Sequence, residues 1–398
     1  LGENIFKNIT ALTLEQATVA PYLTYRLAQD GINVIRVENP AMPDPNRFIG
    51  ENRLNEEGMY TYFLAINAGK KAITLNLAEE KGRELLKKLI SGLNVDIFIT
   101  NQLPRNYEKL GIAYEILSAV KKDLVWVGIT GFGPDSNEAA YDPILQARSG
   151  LMELTGEKEG NPVVTGIPLP DMGTSEHSYG LIMKALLQKA LTGEGSRIDM
   201  CMFESTVSWL TVPICLSKSF GNQITRRGNT HEFFAPVSVY QSSDSYVYIA
   251  VGNDRQWEAV TTIPAFKHLA KEEYKRNAGR IADVDNLNRA INEVTRKHST
   301  EELIRIFMEA KVAISRVNTI PDVLEEPLVQ KNCLFSLDEQ SKTELTLAPP
   351  PNMTPFLKAA GRHLSFPPRM GQHNQEIYAN GLKMNPEDLQ RLSEDKII

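Results

Sequence analysis

The pattern in this chain best suited to covalent chemistry is Pro170-Asp171-Met172-Gly173-Thr174-Ser175, an acid set just before a small-residue turn that opens a helix. A carboxylate in that position has two readings. It is a helix N-terminal acid that answers the unpaired peptide N–H groups of the first turn. Alternatively it is a nucleophile, with Gly173 leaving room for a bulky thioester and the helix start offering N–H groups to an oxyanion. The segment by itself does not choose between them.

Other common signatures are missing. Gly173-Thr-Ser175-Glu-His177 resembles a hydrolase nucleophile elbow at a glance, but His177 stands where the second glycine belongs, so it reads as a helix start. The nearest approach to a dinucleotide fingerprint, Gly131-Phe-Gly133-Pro, lacks its third glycine, and Pro134 shapes a turn. There is no HExxH and no phosphate-binding Walker sequence. The six histidines are scattered, so no metal site is expected. Cys201, Cys215 and Cys333 match no metal or redox spacing and read as reduced thiols of a cytoplasmic protein. A net charge of -6 with no basic tract argues against a nucleic-acid partner. No apolar run reaches the length of a membrane span, and LGENIFKNIT has no signal-peptide pattern, so no membrane partner is expected.

The elements that must position such a site are legible as a pattern. Asn33–Glu38, Lys71–Leu77, Val95–Thr100 and Leu124–Thr130 are almost continuously apolar, as suits parallel strands covered on both faces. Helical periodicity runs from Leu14 to Asp30, ending at Gly31, and from Ala78 to Ser91, ending at Gly92. A third helix is predicted from about Ser175 to Leu191, followed by a strand over Arg197–Phe203. Strand and helix in alternation predict an α/β fold with a Rossmann-like parallel sheet. From Gly221 polar turns lead to an alternating strand, Tyr246–Val251, and then to charged helical sequence, which predicts a smaller α+β domain. The expected division is 1–205 with 330–398 as the large domain, 206–225 as a linker and 226–329 as the small domain.

Taken in order, these segments resemble the family III CoA-transferases, the group that includes the formyl-CoA:oxalate and carnitine enzymes. The resemblance opens with ALTLEQATVAPYLTYRLAQDGINVIRVENP, whose Ala20-Pro21 stands where the family has a small residue and proline. It continues through NAGKKAITLNL, VDIFITNQLPRNYEKLG, VGITGFGPD, YDPILQARSGLMELTG and PDMGTSEHSYGLIMKALLQKALTGEGSRIDMCMFES, and closes with APVSVY, IAVGNDRQW and PPRMGQHNQEI. No single segment is specific; their order and spacing over nearly the whole chain carry the likeness.

The resemblance implies that Asp171 is the catalytic aspartate. It implies that Thr18, Val19, Asn39, Ile66, Asn67, Asn101, Gln102, Lys109, Tyr141 and Asp142 line a CoA site, with Lys109 meeting a phosphate as a point charge. It further implies a substrate loop at Gly252-Asn253, no cofactor beyond CoA as substrate, and an interlocked dimer or a heteromer with a related chain. Several positions depart from the family. Thr18 stands where some members have glutamine, Asn39 replaces a basic residue, Gln102 an aromatic one, and Arg105 a glycine. Succinyl-CoA and an aryl-substituted dicarboxylate such as benzylsuccinate are the expected substrates, on the apolar residues around Trp209 and Phe233-Phe234. The nearest rival is an α-methylacyl-CoA racemase, which resembles this fold and needs a histidine where this chain reads Ala140-Tyr141-Asp142. The other is a non-catalytic CoA-binding subunit of a heteromer.

Overall fold

The computed structural model describes residues 4–398. Six strands form one sheet: β1 (Thr10–Leu14), β2 (Asn33–Glu38), β3 (Lys71–Thr74), β4 (Ile97–Thr100), β5 (Val125–Thr130) and β6 (Ser196–Cys201). All pairings are parallel, in the order β3-β2-β1-β4-β5-β6. This is the strand order of doubly wound nucleotide-binding sheets, which reverse direction between the first and fourth strands and leave a crevice at their carboxyl ends.

The continuity of the apolar runs follows from burial on both sides. Leu12, Ile35, Phe98 and Trp126 pack on one face with Leu85, Leu86, Leu89 and Ile90. The last four belong to helix α2 (Glu80–Gly92), which follows α1 (Val19–Gln29) in the chain. Ala11, Val34, Ile97, Val125 and Val127 fill the other face with Leu23 and Leu27 of α1. The C-terminal segment completes the first of these cores through Ile377, Tyr378 and Ile397, and the Tyr378 hydroxyl donates to the Thr74 carbonyl at 2.8 Å.

Several element boundaries differ from the sequence expectation, three of them beside the site. The helix expected from Leu14 starts at Val19, because 10–14 is a central strand paired on both edges, to β2 and to β4. The helix expected from Ser175 starts at Leu169. Pro170 sits in its first turn, where the missing N–H costs nothing, so Asp171 lies inside the helix rather than ahead of it. The strand expected to reach Phe203 ends at Cys201, and Met202 begins a short helix.

The chain divides into two compact units. The first contains the chain up to Leu151, Val164–Phe220 and Pro327–Ile398; the second contains Met152–Val163 and Gly221–Glu326. The stretch expected as a linker holds a helix, Thr211–Phe220, that belongs to the first unit, and 152–163 joins the second. The second unit has a three-stranded antiparallel sheet, β7 (Val237–Gln241), β8 (Tyr246–Ala250) and β9 (Ala313–Arg316), in that order. Val247 and Ile249 face its core with Trp257, Phe266, Leu287 and Phe307, while Tyr246 and Tyr248 are exposed, the alternation of a one-sided sheet.

Candidate active site

The turns after β1, β4 and β5 and the approach to the 169–192 helix enclose a cavity of about 840 Å³ at the carboxyl ends of the strands. That volume falls within the usual range of small-molecule sites. Helices α3 (Asp142–Ser149), α4 (Leu169–Thr192) and α5 (Met202–Val207) follow β5 and flank the opening. Asp171, in the first turn of α4, lines the cavity and is partly exposed to it. Among the described residues no hydrogen-bond donor reaches its carboxylate.

The first turn of α4 does not offer the free N–H groups expected from the sequence. Leu169 donates to the Ile167 carbonyl at 2.8 Å, Met172 to the Pro168 carbonyl at 3.0 Å, and Asp171 to Oδ2 of Asp142 at 3.2 Å. Pro170 has no N–H. The unoccupied donors are instead at the start of α1: the peptide N–H groups of Thr18 and Val19, both lining the cavity, have no acceptor among the described residues. The turn that presents them is unusual, with Ala17 at φ 60, a left-handed conformation that a non-glycine residue adopts only when its surroundings over-determine it.

Those surroundings are ionic and buried. Oδ1 of Asp44 accepts from the backbone of Ala17 and of Asn46, each at 3.0 Å, and Oδ2 accepts from Arg36 at 2.9 Å. Arg36 has no exposed surface and also faces Glu38 at 3.3 Å and Glu15 at 3.7 Å. Arg47 donates to Glu38 at 2.7 Å, and Lys70 to Glu15 at 3.0 Å. Burial opposes the charge of Glu38, but Arg36 and Arg47 outweigh it and hold the carboxyl at about 2. Burial pulls Lys70 down to about 8 against the attraction of Glu15. Three acids and three bases thus balance beneath the turn.

Asp171 is the opposite case. Burial, and then the charge of Asp142, push its carboxyl up to about 7. Both causes disfavour the ionised form, and among the described residues no cation lines the cavity to offset them. A desolvated carboxylate of raised basicity in a cavity is the state expected of a functional group rather than a structural one.

The predicted site residues divide into three sets. Thr18, Val19, Asn101, Gln102, Tyr141 and Asp142 line the same cavity as Asp171. Asn101 brackets the β1–α1 turn, accepting from the Gln16 N–H at 3.1 Å and donating to its carbonyl at 2.8 Å. Asn39 and Lys109 line a second cavity of about 360 Å³ at the ends of β2 and β3, and Gln16, Gln102 and Asn106 are common to both cavities. Ile66 and Asn67 line neither. The Asn67 side chain is fully buried and takes Arg36 and Lys70 as donors, so it braces the ion network instead. Gly252 and Asn253 belong to the second unit. There Asn253 caps the helix Asp254–Thr262 by accepting from the Gln256 N–H, and Gln256 accepts from the Gly252 N–H at 2.8 Å.

Two expectations near Asp171 are corrected. Gly173 does not make room for a thioester: a Cβ there would lie 1.5 Å from Cη2 of Trp209, so the absent side chain admits the indole. Trp209 in turn does not line the cavity. Its Nε1 donates to Nε2 of His177 at 3.1 Å, which leaves the His177 proton on Nδ1, 2.7 Å from Oγ of Ser205. Gly173→Ala therefore displaces the indole and costs about 1–3 kcal/mol. The expected readout is a lower thermal midpoint with altered tryptophan fluorescence; an unchanged midpoint would show that the ring has another place to go.

Sequence reading missed Ala17, Asn46, Tyr62, Asn106 and the Gln146–Thr165 pair. The Pro43-Asp-Pro-Asn46 stretch carries a turn signal that places Asn46 on a loop, but nothing local announces that the loop meets α1. Among the described residues no group of three His, Cys, Asp or Glu gathers as a metal cage, and no helix is long and apolar enough to cross a membrane.

A doubly wound sheet whose switch-point crevice holds a desolvated carboxylate has the layout of an α/β enzyme with its site at the carboxyl ends of the strands. The pattern that defines CoA-transferase family III matches residues 6–374, and the chain belongs to that family. It is 29% identical to a succinyl-CoA:glutarate CoA-transferase of Mus musculus, over 97% of this chain and 88% of that protein. It is equally 29% identical to a succinate–glutarate CoA-transferase of Agrobacterium fabrum, over 93% of this chain and 94% of the other. The crystal structure of a CAIB/BAIF family protein from Brucella suis matches with a TM-score of 0.83 and 29% identity, covering 95% of this chain and 99% of that one. The chain is thus an enzyme that moves CoA between acyl-CoA and carboxylic acids.

Proposed function

We propose that Asp171 carries the acyl group and then CoA. Its carboxylate attacks the donor thioester, forming an aspartyl–acyl anhydride as the C–S bond breaks and the charge leaves on the CoA sulfur. The thiolate attacks the aspartyl carbonyl, giving an aspartyl–CoA thioester and the freed donor acid. The acceptor carboxylate then runs both steps in reverse. The observation that carries this reading is the carboxylate without a hydrogen-bond donor among the described residues, pushed up to about 7, in a cavity that Thr18 and Val19, whose N–H groups have no acceptor, also line. Those two donors serve the oxyanion, a contribution of about 10²–10³ in rate each where geometry is good. The second cavity takes the nucleotide end of CoA, with Lys109 at a phosphate and Gln102 and Asn106 along the connecting chain.

Succinyl-CoA as donor and an unbranched aliphatic dicarboxylate such as glutarate as acceptor are the proposed substrates, following the names of the two relatives. The aryl acceptor loses one of its supports, because Trp209 is packed on Gly173 outside the cavity. Benzylsuccinate remains the aryl arm of an acid screen. A homodimer is proposed as well, interlocked as in the family. Helix 211–220 has no buried residue, although Val212, Ile214 and Phe220 are 50%, 47% and 70% exposed, which supports a second chain covering it. The racemase reading needs a histidine base, and no histidine lines the cavity among the described residues.

Hydroxylamine added during turnover with succinyl-CoA should convert Asp171 to a hydroxamate, found by mass spectrometry on the peptide around Met172. Turnover without any adduct on that peptide would sink the covalent route. Transfer by the purified chain alone separates this reading from a subunit active only beside a sister chain.

A further inference from the structure

Asp142 is more than a cavity wall. The residue is over nine-tenths buried, and its carboxylate accepts from Nε2 of Gln146 at 2.6 Å through Oδ1 and from the Asp171 N–H at 3.2 Å through Oδ2. Gln146 has no exposed surface, and its carbonyl oxygen takes the N–H of Thr165 at 2.9 Å and its hydroxyl at 3.2 Å. One chain of bonds thus ties α3, the segment leading into α4 and the first turn of α4. Burial raises the Asp142 carboxyl and its two donors oppose that rise, whereas Asp171 has no donor among the described residues and faces burial together with the charge of Asp142.

The other charged groups nearby are turned elsewhere. Glu138, which also lines the cavity, pairs with Arg148 at 2.7 Å, and Glu176 on α4 pairs with Arg26 of α1 at 2.7 Å. His177 is taken by Ser205 and Trp209, and Glu204 of α5 is exposed. Tyr62 and Tyr141 complete the titratable lining. Asp142 is the charge that bears on Asp171.

We propose that Asp142 is a positioning residue that drives acylation of Asp171: it clamps the nucleophile's turn and faces it with a like charge that acylation removes. The proposal rests on Asp171 being the nucleophile. When the Asp171 oxygen bonds to the thioester carbon, the C–S bond breaks and the negative charge departs on sulfur. The aspartyl group becomes a neutral acyl carbonyl beside Asp142. The following thioester is neutral too, so repulsion present in the free enzyme is relieved in both covalent states. This destabilises the ground state through a specific buried contact, and it acts only on the reacting group.

Asp142→Asn keeps an oxygen for the Asp171 N–H and removes the charge. The expected result is an acid limb of kcat/KM moved down by about one pH unit or more, with kcat at pH 8 lower by about 10–100-fold. The KM for succinyl-CoA should stay within about threefold, less hydroxamate should be trapped, and Asp142→Glu should restore part of the rate. Asp142→Ser supplies a second neutral side chain should the amide variant fail to fold. An unmoved acid limb, or a raised KM at unchanged kcat, would overturn the proposal and make Asp142 a CoA contact. Asp171→Ala measured in parallel separates the two readings. Transfer by that variant removes the nucleophile itself, whereas its silence with an unmoved limb in Asp142→Asn removes only the role given to Asp142.

Discussion

Asp171→Ala is expected to lower CoA transfer by about 10⁴-fold or more, while the chain folds and retains CoA. The second half of that expectation has a physical basis. The Asp171 carboxylate accepts no hydrogen bond, and its N–H, which holds Asp142, is backbone and survives the substitution. Nothing that positions the cavity is lost with the side chain. Near-parent turnover in this variant would end the assignment.

Stability should move the other way, and its pH dependence fixes the sign. The folded-state value of Asp171 lies above the ordinary carboxylate range, at about 7. Below about pH 4 the folded and unfolded chains both carry the proton, and the group contributes nothing to the difference between them. Between there and about pH 7 the unfolded chain ionises first, so rising pH favours unfolding. Above that window the penalty is complete. Asp171→Asn should therefore match the parent in acid and exceed it by about 1–3 kcal/mol above neutrality, discounted for partial solvent access. Thermal midpoints across pH 4–8 check this; a gap independent of pH would mean that the carboxylate is not the strained group. A stability cost localised on a nucleophile is a common exchange of stability for activity.

The second large effect is structural. Arg36→Met should destabilise the first unit by about 3–5 kcal/mol, the cost of leaving buried acids with too few partners. Glu15, Glu38 and Asp44 would keep only Arg47 and Lys70. Arg36→Lys should not rescue it, because one ammonium cannot replace a planar fork that reaches three carboxylates. Activity should fall before folding does. Asp44 would lose its anchor, and with it the hold on Ala17 and Asn46 that shapes the α1 end of the cavity. A rise in the KM for acyl-CoA together with a lower urea midpoint is the expected pair of results. An unchanged KM in a destabilised variant would detach the ion network from the site.

The Gly252–Asn253 turn, expected as a substrate loop, is held within the second unit. The Gly252 N–H donates to Gln256, and the Asn253 amide oxygen accepts from the Gln256 N–H. Asp254 beside it pairs with Arg280 at 2.8 Å and accepts from the Asn277 N–H at 2.8 Å. Arg280 itself is fully buried. The turn is thus tied by hydrogen bonds and an ion pair within its own unit.

The sequence determined the parallel sheet, because strands buried on both faces must be apolar throughout, and that continuity is visible without coordinates. It also singled out Asp171, since an acid among small residues at a helix start is a local pattern, and the order of segments along the chain carried the family. Tertiary structure decided the rest. Strand β1 was absent from the predicted strands, with only Leu14 falling in the predicted helix, because its five residues gain their identity from two neighbours, β2 and β4, that lie far along the chain. The role of Gly173 was decided by Trp209 arriving from another element, and that of Asn67 by a buried arginine. The N–H groups without an acceptor lie at the start of α1 and not of α4, because which donors are left over depends on every acceptor nearby. Local spacing fixes which chemistry is available; only the packed fold fixes which groups remain free to perform it.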